Sequence, residues 1–293
     1  MKSGFVSIVG RPNAGKSTLM NAIVGAKIAI TSEKLQTTRN RIQGIYTCPE
    51  GQIIFIDTPG IHKPRHLLGE YMVKVSTRSL READIIYYMV DATCSFGGGE
   101  IFIIKQLQNA EAPVFLLVNK IDLVSQEQVQ KHIQNFTACG NFAEIIPISA
   151  VLGTNVPLLI EKTFQYLPEG PLYYPEKDLT DQPVSFIVAE IIREKALILT
   201  RDEVPHSLAV EVEEFRHNDR GKVYLRAVIY TERDSQKGIV IGKNGQMLKV
   251  IGEQSRRDIE EILEAPVFLD LWVKVKKNWK DDEAKLKQLG YKL

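Results

Sequence analysis

The octapeptide Gly10-Arg11-Pro12-Asn13-Ala14-Gly15-Lys16-Ser17 follows directly on the mostly apolar stretch Phe5 to Val9. It fits the pattern G-x-x-x-x-G-K-[ST] between a strand and a helix, the context that pattern needs. A strand, a loop that cradles phosphate and a helix, in that order, open a βαβ unit. Gly10 and Gly15 let the backbone curl until its N–H groups point inward at phosphate oxygens. Lys16 supplies a point charge between the β- and γ-phosphates, and the Ser17 hydroxyl is a ligand for Mg²⁺. The helix from Lys16 adds the positive end of its dipole, and Thr18 closes the phosphate-binding stretch. Such a loop implies a nucleotide without naming its base.

Two later segments bear on the base and on hydrolysis. Asp57-Thr58-Pro59-Gly60 follows the apolar run Ile53 to Ile56, which is short enough for a buried strand. An Asp at the end of such a strand holds Mg²⁺ through water. The Gly60 N–H is placed to meet a γ-phosphate, so that the following segment senses it. The same four residues also make an ordinary turn. Asn119-Lys120-Ile121-Asp122 follows the apolar stretch Pro113 to Val118. Guanine offers N1–H and N2–H₂ on one edge, and adenine has neither donor there. A buried Asp122 carboxylate built for two donors therefore rejects adenine, which would leave it unpaired. The Lys120 stem lies along the base, and Asn119 ties this loop to the P-loop. Ser149-Ala150, after Ile145 to Ile148, fits a last loop offering a backbone N–H to guanine O6. That dipeptide counts only by its place in the order.

The chain has 293 residues, 44% of them apolar and 25% charged, ordinary for a globular protein of one large or two average domains. Cys48, Cys94 and Cys139 are far apart, with neither metal spacing nor a disulfide framework, so a reducing cytosol is expected. The N-terminus runs straight into the first strand, with no stretch for a cleavable signal, and no apolar run reaches membrane-spanning length. The net charge is +1, so any nucleic-acid binding rests on local patches.

From Gly4 to about Leu167, apolar strands alternate with helical segments. Strands are expected over Phe5–Val9, Arg41–Tyr46, Ile53–Ile56, Asp84–Val90, Val114–Val118 and Ile145–Ile148. Helices are expected over Lys16–Val24, Leu68–Arg81, Glu100–Gln108, Gln126–Ala138 and Val156–Tyr166. This alternation implies an α/β domain, residues 1–168, with a mostly parallel sheet and helices on both faces. Its ligand belongs at the carboxyl ends of the strands, where all four motifs fall. Residues 169–183 carry three prolines, directly after Pro168, and read as a linker. Residues 184–293 then change pattern to a helix from Ser185 to Leu199, two alternating strands near 208–212 and 223–229, the short apolar segment Gly238–Ile241, a glycine-flanked loop, a long helix and a last strand around Leu269–Val275. That is a second, α+β domain.

Gly242-Lys243-Asn244-Gly245 opens the long helix and fits the G-x-x-G loop of a KH domain, which clamps the backbone of about four nucleotides. Lys243 and Lys249 make the local field positive. Trp272 shares a strand face with Lys274 and Lys276 and is placed to stack on a base. Taken alone, a G-x-x-G is common in turns, the lysines fit a solvated face equally well, and a Trp more often fills core.

The whole chain resembles the Era GTPase family. The resemblance rests on "GRPNAGKSTLMNAIVG", "SEKLQTTRNRIQGI", "DTPGIHKP", "NKID", "PISA", "EIIREKALILTRDEVPHSLAV", "VIGKNGQMLKVIGEQSRRDIE" and "FLDLWVKVKKNWKDDEAKLKQLGY". It implies a Ras-like P-loop NTPase domain followed by a type II KH domain, using GTP, GDP and Mg²⁺. It also implies a small-subunit assembly factor whose KH domain binds the 3′ end of 16S ribosomal RNA on the 30S particle. A monomer in the cytoplasm is expected, and some members of the family associate peripherally with the inner membrane. By motif, Thr38 is the switch I threonine on Mg²⁺, with Thr37 as the alternative. Asn13 resembles the asparagine that related GTPases use for K⁺. Gly60, Ile61 and His62 fall in switch II, and Ile61 replaces the water-orienting Gln of Ras-like enzymes. The resemblance further implies that GTP favours RNA binding and that hydrolysis releases it. Two other readings stay open: a GTPase that regulates cell-cycle or membrane processes through protein partners, its KH domain unused for RNA, and an RNA-binding module whose nucleotide is only structural. Intact Lys16, Ser17 and Asp57 speak against the second.

Overall fold

The computed structural model describes residues 1–34, 36–60, 64, 66–218 and 221–291. The chain forms two compact units. The first comprises Met1–Thr31, Thr38–Pro64 and Gly69–Asp181; the second comprises Gln182–Leu293 with Ser32–Thr37 and Arg65–Leu68.

The first unit runs β1 (Lys2–Gly10), α1 (Lys16–Val24), β2 (Ile42–Cys48), β3 (Gly51–Asp57), α2 (Leu67–Arg81), β4 (Ile85–Asp91), α3 (Gly98–Leu107), β5 (Val114–Asn119), α4 (Gln126–Thr137), β6 (Glu144–Pro147) and α5 (Val156–Tyr166). Its sheet has the order β2-β3-β1-β4-β5-β6. Only β2 is antiparallel, paired with β3 in a hairpin; the others pair parallel. Parallel strands covered on both faces read as continuous apolar runs, and Ile53 to Ile56 on β3 are all fully buried. On one side Tyr88, Leu116 and Val118 pack against Ile103, Ile104 and Leu107 of α3 and Val129 and Phe136 of α4. Burying each such side chain contributes about 1.5–3 kcal/mol. α4 starts with a capping box, Ser125 accepting from the Gln128 N–H while the Gln128 side chain accepts from Ser125 N–H.

Residues 169–181, read from their prolines as a linker, lie against the first unit. Gln52 Oε1 accepts the N–H groups of Tyr173 and Tyr174, at 2.9 and 3.0 Å. The Ile45 N–H donates to Leu179 O at 2.8 Å, and Phe5 and Tyr173 rings meet at 4.9 Å. The buried Gln52, on an otherwise apolar strand, is the reason: its amide needs partners, and this strap supplies them.

The second unit contains α6 (Val184–Leu199), α7 (Val204–Ser207), β7 (Ala209–His217), β8 (Val223–Thr231), α8 (Asp234–Ile241), α9 (Gln246–Leu263), β9 (Val267–Val275) and α10 (Glu283–Gln288). The sheet order is β7-β8-β9, with β7 and β8 antiparallel and β8 and β9 parallel. Val223, Leu225, Ala227 and Ile229 form the buried row of β8, beneath α6, α8 and α9. Gly238–Ile241, read as a short apolar segment, is the second half of α8. Gly238 weakens the helical signal there, while Gln236 Oε1, accepting from the N–H groups of Glu232 and Arg233, starts the helix. On α9, Ile251, Ser255 and Ile259 are buried as the periodicity requires, but Ile262 is exposed at the end of the helix.

Candidate nucleotide site and nucleic-acid cleft

The loop from β1 to α1 needs its glycines for stated reasons. Gly10 has φ 156°, and a Cβ there would sit 2.2 Å from the Met89 carbonyl oxygen. Gly15 has φ 100°, and a Cβ would come within 2.3 Å of Asn119 Nδ2. The glycines therefore permit close approach of β4 and β5 to the loop as well as its curl. Asn13 also adopts positive φ, at 65°. Arg11 and Asn13 are exposed, Pro12 and Thr18 half-buried, and Ala14 buried. The first turn of α1 carries no acidic side chain, so its N–H groups and dipole are free of a competing charge.

Lys16 is buried and donates to the carbonyls of Arg11, at 2.9 Å, and Gly10, at 3.4 Å. Burial pushes its ammonium below the usual range, and the Asp57 charge opposes that shift. Asp57 is fully buried at the end of β3. Burial pushes its carboxyl above the ordinary carboxylate range, while Lys16, the Ser17 and Thr38 hydroxyls and the Thr58 N–H draw it part of the way back. Ser17 Oγ donates to Asp57 Oδ2 at 2.5 Å and lies 3.0 Å from Thr38 Oγ1, which is itself 3.4 Å from Asp57 Oδ2. The second oxygen, Asp57 Oδ1, is buried without a hydrogen-bond partner. Two hydroxyls and a carboxylate with a spare buried oxygen make a hard, all-oxygen donor set that fits Mg²⁺. Of the two neighbouring threonines, Thr38 stands in this cluster. The Thr37 hydroxyl donates to Lys34 O at 2.7 Å instead.

After Asp57, the Thr58 hydroxyl donates to Ile8 O at 2.9 Å, and Pro59 O accepts from Ser76 at 2.9 Å. A Cβ on Gly60 would lie 2.6 Å from Pro12 N, so this segment runs against the P-loop. Ile61 and His62, named in switch II, lie outside the described residues.

Asn119 joins three segments. Its Nδ2 donates to Ala14 O at 2.8 Å, and its Oδ1 accepts from the Ala150 N–H at 3.0 Å. Lys120, at φ 67°, follows β5 and extends its ammonium 2.5 Å to Asp91 Oδ2, which holds its stem in place. Burial would raise the Asp91 carboxyl, but Lys120 and Thr93 bring it below its ordinary range. Two expectations from the sequence require correction. Asp122 is exposed, because it stands on a 3-10 turn, Ile121–Leu123, beyond the strand end. Its desolvation must come from the base it meets. The N–H groups of Ser149 and Ala150 are not free for guanine O6: Ser149 donates to Thr154 O at 3.2 Å and Ala150 to Asn119. Both residues are buried, so their amides must be paired inside the protein. A contact from the Ala150 N–H to O6 has to be shared with Asn119.

In the second unit, Gly242–Gly245 joins α8 to α9 through a 3-10 turn, Lys243–Gly245. Gly242 has φ 73° and would meet Met247 Cβ at 2.7 Å if it carried a Cβ; Gly245 has φ 76° and open space around it. Lys243, Asn244 and Lys249 are exposed, and the first turn of α9 has no acidic residue. Between α9 and β9 runs a cleft of about 450 Å³, lined by Gly245, Leu248, Lys249, Arg256, Phe268 and Leu271 among others. The RNA-binding residues expected from sequence divide here. Gly245 and Lys249 line this cleft, and Gly242, Lys243 and Asn244 precede Gly245 in the same turn. Trp272 and Lys274 do not line it: on β9 they alternate with Leu271 and Val273, which face the helices. Lys276 lies past the strand end, its ammonium 2.7 Å from Gln288 Oε1 and 4.6 Å from the Tyr230 ring centre. Phe268, which borders the cleft, was not among the residues expected from sequence; its place next to Val267 in the alternating pattern is the only signal for it.

Residues 5–120 match the family model described as 50S ribosome-binding GTPase, and residues 203–280 match that of the KH domain. The chain is similar to a crystal structure of a single-residue variant of Aquifex aeolicus Era bound to GDP·AlF4⁻, with 42% identity, 100% of both chains covered and a TM-score of 0.95. Identity, coverage and TM-score are the same for a crystal structure of Era in complex with MgGDPNP and nucleotides 1506–1542 of 16S ribosomal RNA. With both domains matched and the likeness running end to end, the chain belongs to the Era family of GTPases.

Proposed function

We propose that this protein is a GTP-hydrolysing switch that binds the 3′ end of 16S ribosomal RNA and acts in assembly of the small ribosomal subunit. The observation that carries the proposal is its full-length likeness to Era in complex with MgGDPNP and nucleotides 1506–1542 of 16S ribosomal RNA. The residues fit that reading. Lys16, the P-loop amides and the start of α1 bind the phosphates. Ser17 and Thr38 would hold Mg²⁺, with Asp57 holding it through water, and the ion would there offset charge on the phosphate oxygens. Asn119, Lys120 and Asp122 bind guanine, with Ser149 and Ala150 closing that loop.

Ile61 has no group to orient water, so turnover is slow unless something else offsets charge in the transition state. A K⁺ held by Asn13 and switch I carbonyls would do so. Equal turnover in K⁺ and Na⁺ buffers would remove that ion from the scheme. Gly242, Lys243, Asn244, Gly245 and Lys249 clamp the RNA backbone, and the GTP state favours the RNA-bound form. The decisive experiment measures GTP turnover in K⁺ buffer with and without an RNA copying the 3′ end of 16S ribosomal RNA. Stimulation is expected, and its loss in the Gly242→Asp, Gly245→Asp double variant places the effect at the cleft. An RNA that neither binds nor stimulates would overturn the reading. The protein acts as a monomer in the cytoplasm; among the described residues no helix is long and apolar enough to cross a membrane.

A further inference from the structure

The side of the β7-β8-β9 sheet turned away from α6, α8 and α9 carries a group of planar side chains held in fixed positions. Tyr224 on β8 and Phe268 on β9 stack with ring centres 5.7 Å apart and planes 12° apart. Phe268 is 64% exposed and Trp272, four residues along the same strand face, is 55% exposed. Among the described residues, large apolar side chains of β9 exposed to this degree are confined to these two.

One carboxylate fixes the group. Asp270 accepts from Trp272 Nε1 at 2.9 Å, from Arg226 Nε at 3.0 Å and from the Tyr224 hydroxyl at 3.2 Å. Arg226 also donates from Nη2 to the Tyr224 hydroxyl at 2.8 Å, and its guanidinium lies 5.8 Å from that ring centre. Arg226 and the Asp270 carboxyl support each other: the hydrogen bonds to Asp270 and to the Tyr224 hydroxyl raise the guanidinium, and although burial acts to raise Asp270, its three donors hold it below the ordinary carboxylate range. Rings and a guanidinium already locked in place lose little conformational freedom when a flat ligand settles on them. The charges on this face nearly cancel: Lys274 pairs with Glu213 at 2.9 Å, and Glu214 lies between Arg216 and Arg226. The face therefore suits an uncharged planar partner better than a polyanion's backbone.

Phe268 belongs both to this face and to the border of the α9–β9 cleft. β9 is the edge strand, so a chain leaving the cleft past Phe268 reaches the outer face without crossing another strand. We propose that the Tyr224–Arg226–Phe268–Trp272 face, organised by Asp270, is a second binding site, a platform on which unpaired bases of an RNA stack after the backbone has left the cleft. The proposal rests on the RNA-binding reading above. The cleft supplies the charge and about four nucleotides of length; the platform supplies stacking, which every base can provide. Asp270 is a positioning residue that acts through the rings.

The test uses the full chain and two unpaired RNAs: a tetranucleotide that fills the cleft, and a longer one extending past it. Trp272→Ala is expected to weaken the longer RNA roughly tenfold, the size of one lost base stack, and to leave the tetranucleotide unchanged. The affinity gained from the added length should vary little with salt, unlike the affinity of the tetranucleotide. Trp272 is the exposed one of two tryptophans, Trp279 being buried, so its fluorescence should be quenched by the longer RNA alone. Asp270→Ala, which keeps both rings but frees them, should weaken the longer RNA by a smaller factor with the tetranucleotide again unaffected. Equal affinity of the variants and the parent for the longer RNA overturns the platform. So does a matching loss for both RNAs, which would assign the rings to the cleft. If the parent binds neither RNA, or the Gly242→Asp, Gly245→Asp variant binds the tetranucleotide undiminished, the RNA-binding reading itself fails.

Discussion

At the scale of single residues, the nucleotide site is a set of buried groups that satisfy one another. Asn119 shows this most directly, since its amide pairs Ala14 O and the Ala150 N–H at once. Asn119→Ala leaves two buried backbone groups unpaired at about 1–3 kcal/mol each. It is expected to lower GDP affinity at least tenfold and to reduce stability in urea, which calorimetry and a denaturation series would read. Asp122 sets the base. Asp122→Asn presents one donor and one acceptor in place of two acceptors, so preference should move from guanine toward xanthine, whose C2 carries a carbonyl. Competition between GTP and XTP for the variant measures this, and unchanged guanine preference would contradict the assignment. Asp57 gives a pH signature. Its folded carboxyl lies above the unfolded value of about 3.9. The folded chain therefore prefers the proton, and this preference stabilises it at low pH. That contribution is lost as pH rises from about 3.9 through the raised folded value. Asp57→Asn removes the loss, so in melts without nucleotide the variant should gain on the parent as pH rises through that window.

At the scale of elements, the turn between α8 and α9 has two glycines with different duties. Both adopt positive φ, but only Gly242 is crowded, by Met247. Gly245→Ala should cost about 1–2 kcal/mol, the penalty of a left-handed residue with a Cβ. Gly242→Ala should cost clearly more, because Met247 and the start of α9 must shift as well. Denaturation of the two variants side by side gives the difference, and equal costs would contradict the packing described. This turn also shows where local signals gave out. The G-x-x-G spacing and the long amphipathic helix after it are plain in the chain, yet α8 before it shows in the sequence only as a short apolar segment. Eight residues with a central glycine carry too little periodicity to declare a helix; the cap at Gln236 and packing against the sheet decide it.

At the scale of the molecule, two units with separate cores should unfold in separable steps. GTP with Mg²⁺ at a hundred times its dissociation constant should stabilise the step belonging to the first unit by about 2.7 kcal/mol and leave the other in place. A single transition that moves as a whole with nucleotide would show that the units unfold together. The boundary between them is also a matter of packing. Residues 169–181 carry the prolines of a linker, but their partner, the Gln52 amide, is more than a hundred residues away, and no local rule reveals such a pairing.

The sequence by itself determined the parallel α/β domain, its P-loop, the order of its base-binding loops and the G-x-x-G module that follows. These depend on short-range chemistry: apolar runs that end in glycine, lysine, aspartate or asparagine at strand ends. The tertiary structure alone decided that Thr38 rather than Thr37 joins Ser17 and Asp57, that the Ser149 and Ala150 amides are already engaged, and that Trp272 and the cleft lie on different sides of β9. Each is set by which groups meet across the fold. Along the chain Thr37 and Thr38 are the same residue type side by side, and only the position of Ser17 and Asp57, far away in sequence, tells them apart.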